Sequence, residues 1–453
     1  MSAQHLENHP EWSGRLAFIL ASAGSAVGLG NIWKFPYIMG DNGGGAFVMI
    51  YLACLLIVAT PILISEVMLG RRARSNPIIG MGKLADQAGV SRGWQVIGWM
   101  GVLTGFLILS FYSVVMGWAL SYVEKAANGA FVGASPEAIE GLFEGLVGNP
   151  GTLLFWHTVA MVMTVTVVAR GVRGGLELAT RVMMPLLIVI LVLLFGYNIG
   201  TPGFVPAMEF MFAPDFTQVN AETFLVALGH AFFTLSLGMG AIMVYGSYMP
   251  RGTSIVRAGI WIIVLDTGIA LLAGMVIFPI VFSNGMSPEQ GAGLIFQTLP
   301  LALGQMDWGY WLAIVLFVLV SIAAWTSAIS LVEPAVSYLW ERFRIRRLHS
   351  AIAVGVATWS LGVLAALSFN LLGDVTLFGK NVFGLLEFTT ANVLLPAGGM
   401  LIAIFAAWRL PRAASAEELG LSGWCYDLWW WLAAIVAPLG VALVFLNGLG
   451  LFG

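Results

Sequence analysis

Charge is what this chain has least of. Only 9% of its 453 residues are Asp, Glu, Lys or Arg, against about 25% in a soluble domain. So little charge cannot clothe a water-facing surface, which excludes an ordinary soluble protein. Cysteine is nearly absent. Cys54 and Cys425 both lie in or beside apolar segments, so neither a disulfide framework nor a thiolate metal cluster is expected. The His, Cys, Ser and Asp residues form no motif with catalytic spacing, so the chain reads as no enzyme, and no nucleic-acid partner is expected. The start, MSAQHLENHPEW, lacks the basic region and short apolar core of a cleaved signal peptide. The net charge of -3 says little, because the arrangement of charge matters more than its sum.

What is present is apolar: 59% hydrophobic residues, with a mean hydropathy of +0.91. A membrane-crossing helix takes about 20 mainly apolar residues. That rule gives eleven candidates, at 13–38, 44–70, 95–123, 152–169, 176–198, 220–249, 255–283, 309–341, 350–370, 381–408 and 425–450. The chain therefore reads as an all-α polytopic membrane protein. The stretch at 284–304 is half apolar and reads as a re-entrant or hairpin loop rather than a span.

The positive charges fix an orientation. With the N-terminus in the cytoplasm, seventeen Lys and Arg fall on the cytoplasmic side and three (Lys34, Lys125, Lys380) outside. That bias is the expected one for an inner membrane protein. It also checks the span count, since one missed helix would scramble it.

Two spans are unusual. Residues 22–47, SAGSAVGLGNIWKFPYIMGDNGGGAF, and 234–242, TLSLGMGAI, are loaded with Gly, Ser, Thr and Asn. Non-helical backbone at membrane depth is tolerated only where it lines a cavity or is buried in protein. Two broken helices in corresponding halves of a membrane protein point to a transporter's binding site. Gly24, Gly28 and Gly30 carry no Cβ, so the backbone there can unwind and approach a ligand closely. The half-helix that follows points free N–H groups near Leu29 and Gly30 at an anion. Asp266 is the single charge of the apolar stretch IWIIVLDTGIALLAG. Such a carboxylate costs several kcal/mol unless paired and by default marks an ion or proton site.

GSAVGLGNIWKFP, followed by NGGGAF, FFTLSLGMGA and WTSAIS, resembles the neurotransmitter:sodium symporter family, in particular its bacterial amino-acid carriers. The resemblance runs in family order from Trp12 to the tenth span. It implies one transport domain over 1–453. Two inverted five-helix repeats at 13–198 and 220–408, with helices 1 and 6 broken, are joined by an eleventh helix at 425–450. It implies alternating access across a bacterial cytoplasmic membrane, sufficient as a monomer in the lipid bilayer. The cargo it implies is an amino acid with two sodium ions, one for each matching ligand set, and no organic cofactor.

The carry-over, residue by residue, is as follows. A first sodium is expected on the Ala26 carbonyl, Asn31, Thr234, Asp266 and the substrate carboxylate. A second is expected on carbonyls of Gly24, Val27 and Ala323 and the hydroxyls of Thr326 and Ser327. The substrate carboxylate is expected at the N–H groups of Leu29 and Gly30 with the Tyr112 hydroxyl. Its amine is expected at Ala26, Phe233, Thr234 and Ser236. The side-chain pocket is expected from Ser25, Gly28, Ile108, Phe233, Met239, Ser327, Ala328 and Leu331. Gly28 stands where amine carriers of the family have an aspartate, so the substrate brings its own carboxylate. The pocket has no charged residue, which excludes charged side chains. Met239 is flexible and adapts to several shapes, so an aliphatic-to-aromatic range is expected. Asp266 departs from an asparagine used by the family's leucine carrier. It places a negative charge where chloride-requiring members use the anion, so chloride-independent transport is expected.

Gates follow in the same way. Lys34 and Glu387 are expected to close the outer side with Phe233 and Tyr112, unless Glu387 simply sits in a solvated cavity. Trp12, with His9 and Glu341, is expected to form the inner latch. His230 replaces a usual glutamine near the outer gate and either titrates or stays a neutral core residue. Gly175 and Pro185 enclose nine residues of helix 5, either an ordinary proline kink or a stretch that unwinds to admit water to the second sodium. Another small carboxylate-bearing solute, or a substrate-gated channel or sensor, is the alternative function. Sparse polar residues argue against a continuous pore.

Overall fold

The computed structural model describes residues 9–288 and 291–448. The expectations for residues 1–8 and for 449–450 of the last helix lie outside the described residues. Among the described residues nine helices are long and apolar enough to cross a membrane. In chain order they are span 2 (Gly45–Ala73), span 3 (Arg92–Ala127), span 4 (Pro150–Ala169), span 5 (Val172–Asn198), span 7 (Ile255–Ser283), span 8 (Gly309–Phe343), span 9 (Arg347–Leu367), span 10 (Val382–Arg409) and span 11 (Gly423–Leu446). Span 1 is a pair, Arg15–Ala26 and Gly30–Asp41, bent by 51° at the break. Span 6 is also a pair, Ala221–Thr234 and Ala241–Ser247.

Local chemistry sets these boundaries. Asn149 precedes Pro150 and accepts the Thr152 N–H, which starts span 4. Asn220 and Thr223 cap the first half of span 6 reciprocally, satisfying two N–H groups that the first turn leaves orphaned. Between the halves of span 6, Ser236, Gly238 and Gly240 all have positive φ, from 55° to 76°. Two glycines make that left-handed path cheap, and Ser236 is held in it by contacts described below. Several spans also contain π-helical turns, at Gly30–Lys34, Leu55–Ala59, Val172–Glu177 and Thr389–Leu394. Such turns free carbonyls inside a helix and concentrate at functional sites.

The spans pack as two groups. Spans 3, 4, 8 and 9 contact one another, the interface of 3 with 8 being the most extensive in the molecule. Spans 1, 2, 6 and 7 form the other group, with Ala241–Ser247 laid along span 2 and both halves of span 1 against span 7. The broken middles of spans 1 and 6 meet where the groups face each other. Close approach of backbones makes this possible. A Cβ on Gly105 of span 3 would stand 2.9 Å from the Leu331 carbonyl oxygen and 3.1 Å from that of Met239. The stretch expected as a hairpin contains the short helix Thr298–Gly304. Its Phe296 is buried against Trp33, Trp118 and Tyr122.

Candidate functional site

The break in span 1 leaves Val27 in an extended conformation and turns the Gly28 N–H to Asn31 Oδ1 at 3.2 Å instead of to a helical carbonyl. Its carbonyls become acceptors for side chains from two other spans. The Ser25 carbonyl accepts from Ser236 Oγ at 2.9 Å and from Ser327 Oγ at 3.1 Å. The Val27 carbonyl accepts from Thr326 Oγ1 at 3.2 Å. Thr326 shares its proton with the Ala323 carbonyl at 2.9 Å, the ordinary habit of a helical threonine. The Leu29 N–H donates to Tyr112 Oη at 3.2 Å. Gly28 is enclosed: a Cβ there would lie 2.3 Å from Ser327 Oγ and 2.8 Å from Tyr112 Oη. Aspartate cannot occupy this position without displacing both.

These groups surround a closed-down cavity of about 20 Å³, lined by Ser25, Ala26, Gly28, Gly30, Ile108, Tyr112, Phe233, Ser236, Met239, Ser327 and Leu331. Eleven of the fourteen residues expected around the substrate thus share one wall; Leu29 borders a neighbouring cavity and Thr234 stands behind it. Ala328 is fully buried and does not line the cavity. Behind Ser25, and missed in the sequence, Ser330 accepts the Ser25 hydroxyl at 2.8 Å.

Beside it lies Asp266, fully buried. Its carboxylate accepts from Asn31 Nδ2 at 2.8 Å and from Thr234 Oγ1 at 3.1 Å on both oxygens. Asn31 also donates to the Asp266 carbonyl at 3.0 Å, and Tyr51 stands next to the carboxylate. Asn31, Thr234 and Asp266 of the first expected set thus meet, as do the Val27 and Ala323 carbonyls with Thr326 and Ser327 of the second, and each of these residues carries an oxygen that suits a hard cation. Gly24 of the second set faces span 5, where a Cβ would meet Met184 and Thr180 at 3.3 Å. Among the described residues no group of three or more His, Cys, Asp or Glu could hold a metal ion of the transition type.

A cavity of about 350 Å³ lies beyond Tyr112 and Phe233. Lys34 and Glu387 both line it, and the Lys34 ammonium stands 4.5 Å over the Phe233 ring. No ion pair within 4.0 Å joins Lys34 to Glu387 in this arrangement.

At the opposite face the expected latch is built differently. Trp12 is buried, donating from its indole to the Tyr245 carbonyl at 3.0 Å and from its backbone to that of Tyr248. Glu341, however, does not meet His9. Its carboxylate accepts the backbone and side-chain N–H of Asn76 at 2.9 and 2.7 Å. His9 instead donates to the Ser247 carbonyl at 3.1 Å. Burial and the neighbouring Arg74 push its pKa down to about 4, so it is neutral and offers Glu341 no charge. The ion pairs holding the N-terminal segment are Arg74 with Glu11, and the Glu177–Arg181 pair that takes both the N–H and hydroxyl of Ser13.

Two further carboxylates escaped the sequence reading. Glu66 of span 2 is fully buried and accepts the Gly238 N–H at 3.0 Å, with the N–H groups of Gly240 and Met243 beside it. It anchors the unwound middle of span 6. Glu333 pairs with Arg347 and accepts the Tyr248 hydroxyl at 2.7 Å. The rule that singled out Asp266, a lone carboxylate in an apolar span, would have found both.

The broken helices, their buried acidic residue and the paired groups of spans match one known family. Residues 9–132 and 140–450 match the description "Sodium:neurotransmitter symporter family". The chain belongs to that family. It is 37% identical over 445 residues to YhdH of Bacillus subtilis, named an uncharacterized sodium-dependent transporter, covering 97% of this chain and 98% of that one. It is 31% identical to a similarly named transporter, MJ1319, of Methanocaldococcus jannaschii, covering 96% and 90%. Among solved structures it matches MhsT, crystallised in complex with L-phenylalanine, at 40% identity and a TM-score of 0.89. That match covers 97% of this chain and 99% of MhsT. The family member described here is thus a multi-pass membrane transporter with the inverted-repeat, broken-helix fold.

Proposed function

We propose that this chain is a symporter that couples the entry of hydrophobic L-amino acids to two sodium ions without requiring chloride. The observation that carries the reading is the pairing of Leu29 N–H with Tyr112 Oη, beside a Gly28 position that has no room for a side chain. An α-carboxylate entering between them takes over both donors at the head of a half-helix. The substrate amine then meets the acceptors of the unwound turns, and its side chain enters the space between Ile108, Phe233, Met239 and Leu331. The likeness to MhsT, solved with L-phenylalanine, supports a large apolar side chain.

In this mechanism the first sodium joins the carboxylates of substrate and Asp266, with Asn31, Thr234 and the Ala26 carbonyl. Ion and substrate therefore stabilise each other, which is the physical content of coupling. The second sodium holds the carbonyls of Gly24 and Val27 in span 1 to Ala323, Thr326 and Ser327 in span 8, so it pins one group of spans to the other. Loss of that ion frees span 1 to move. Lys34, Phe233 and Glu387 close the outer side. On the cytoplasmic side, where the N-terminus lies, Trp12 and the Ser13–Glu177–Arg181 cluster hold the segment in place. Asp266 carries the negative charge that balances the ions, so uptake in gluconate should equal uptake in chloride. Strong chloride dependence defeats this part. Counterflow in proteoliposomes separates a carrier, which shows trans-stimulated exchange, from a channel, which does not.

A further inference from the structure

Among the described residues, four that carry a hydroxyl line the substrate cavity: Tyr112, at the carboxylate end, with Ser25, Ser236 and Ser327. A hydroxyl owns one proton, and the protein itself takes the proton of each serine. Ser236 and Ser327 both donate to the Ser25 carbonyl, at 2.9 and 3.1 Å. Ser25 is the unusual one. A helical serine returns its proton to a carbonyl three or four residues back. Ser25, in the last turn of Arg15–Ala26, instead reaches across to span 8 and donates to Ser330 Oγ at 2.8 Å. The direction of that bond is forced. Ser330 spends its own proton on the Ser327 carbonyl at 2.8 Å, and a carbonyl can only accept, so Ser330 is left as the acceptor. Ser330 is fully buried and does not border the cavity.

We propose that Ser330 is a specificity-determining residue that does not touch the cargo: by holding the Ser25 proton, it leaves the side-chain end of the cavity without a hydroxyl donor. The inference rests on the amino-acid symport reading and narrows its substrate class. A cargo side chain whose one polar atom is an acceptor sheds its water on entry and finds no donor in return. An apolar side chain of the same shape loses nothing. The exclusion therefore comes from one bond between two serines, not from the charge or width of the pocket. Ser330→Ala removes the oxygen that takes the proton without altering any residue of the lining. The Ser25 hydroxyl, already part of the wall, then turns its proton to an acceptor inside the cavity.

The test is equilibrium binding to the purified full chain at saturating sodium, comparing L-phenylalanine with the three isomers of pyridyl-L-alanine under mildly alkaline conditions. Each isomer keeps the phenylalanine shape, with one ring C–H replaced by an uncharged nitrogen acceptor. In the parent every isomer should bind at least about tenfold more weakly than L-phenylalanine, the cost of an acceptor buried without a donor. In Ser330→Ala at least one isomer should come within about threefold of L-phenylalanine. Ser330→Cys, whose sulfur is a weak acceptor, should move the ratio the same way. The double variant Ser25→Ala/Ser330→Ala should return to the parent ratio, which a general loosening of the site would not do. A parent that already binds an isomer as tightly as L-phenylalanine overturns the proposal. So does a ratio unmoved in both single variants, or a gain that survives the loss of the Ser25 hydroxyl. In each of those outcomes L-phenylalanine still binds and the symport reading stands, whereas a parent that binds no amino acid of the panel overturns both.

Discussion

Gly28→Ala is the smallest change that tests the construction of the site. The added methyl would stand 2.3 Å from Ser327 Oγ, 3.1 Å from Ser327 Cβ and 2.8 Å from Tyr112 Oη. Ser327 can rotate its hydroxyl away, but only by giving up its bond to the Ser25 carbonyl. Tyr112 cannot retreat without moving its whole ring, which breaks the contact with Leu29 N–H. Each lost hydrogen bond costs about 1 kcal/mol, and the residual overpacking about 1–3 kcal/mol. With both bonds lost, substrate affinity should therefore fall by roughly 100-fold to 4000-fold, since 1.4 kcal/mol is about tenfold. The assay is equilibrium binding of labelled L-phenylalanine at saturating sodium. Gly268→Ala is the control: it lies in the same span as Asp266 with nothing within 4 Å of its added Cβ, and should bind as the parent does. Binding by Gly28→Ala within threefold of the parent refutes the geometry.

Asp266→Asn keeps a partner for Asn31 but removes the charge. With charge-assisted bonds worth about 1.5–3 kcal/mol, the sodium concentration for half-maximal binding should rise at least tenfold, and an unchanged value contradicts the assignment. Glu66→Leu strands the Gly238 N–H, a loss of about 1–3 kcal/mol. It should lower both thermal stability and substrate binding, while Glu66→Gln, which retains an acceptor, recovers most of each. Parent-like behaviour of the Leu variant rules out the anchor. His9 gives a pH test. Its folded pKa near 4 lies below the 6.5 of a free imidazole, so protonation favours release of the segment. That stability is complete above pH 6.5 and lost as pH falls toward 4, up to roughly 3 kcal/mol at about 1.36 kcal/mol per unit. Limited proteolysis near Trp12 should accelerate across that window in the parent and not in His9→Gln; identical profiles defeat the idea.

Much of the fold was legible because hydropathy reports what a bilayer demands. The expected span at 44–70 is Gly45–Ala73, and that at 381–408 is Val382–Arg409. The break in span 1 falls among the glycines that announced it, and the unwinding of span 6 covers SLGMG. The π-helical turns were not legible, because a shift from one hydrogen-bond register to the next leaves composition unchanged. Glu66 and Glu333 were hidden by attention to motifs, although each is an isolated carboxylate among apolar residues. The His9–Glu341 pairing failed for a different reason. Asn76, at the start of the helix Pro77–Gln87, has a backbone N–H that Glu341 satisfies, and a neutral His9 cannot compete with it. Partner choice among buried polar groups depends on which donors the backbone leaves unpaired, and sequence spacing does not record that.

The central claim is that sodium and a hydrophobic amino acid cross together. Proteoliposomes containing the purified chain should accumulate labelled L-phenylalanine when an inward sodium gradient is imposed. Accumulation should collapse when the gradient is dissipated, and should be accelerated by unlabelled L-phenylalanine inside. Entry that is the same with and without a sodium gradient, and insensitive to internal amino acid, would contradict the account.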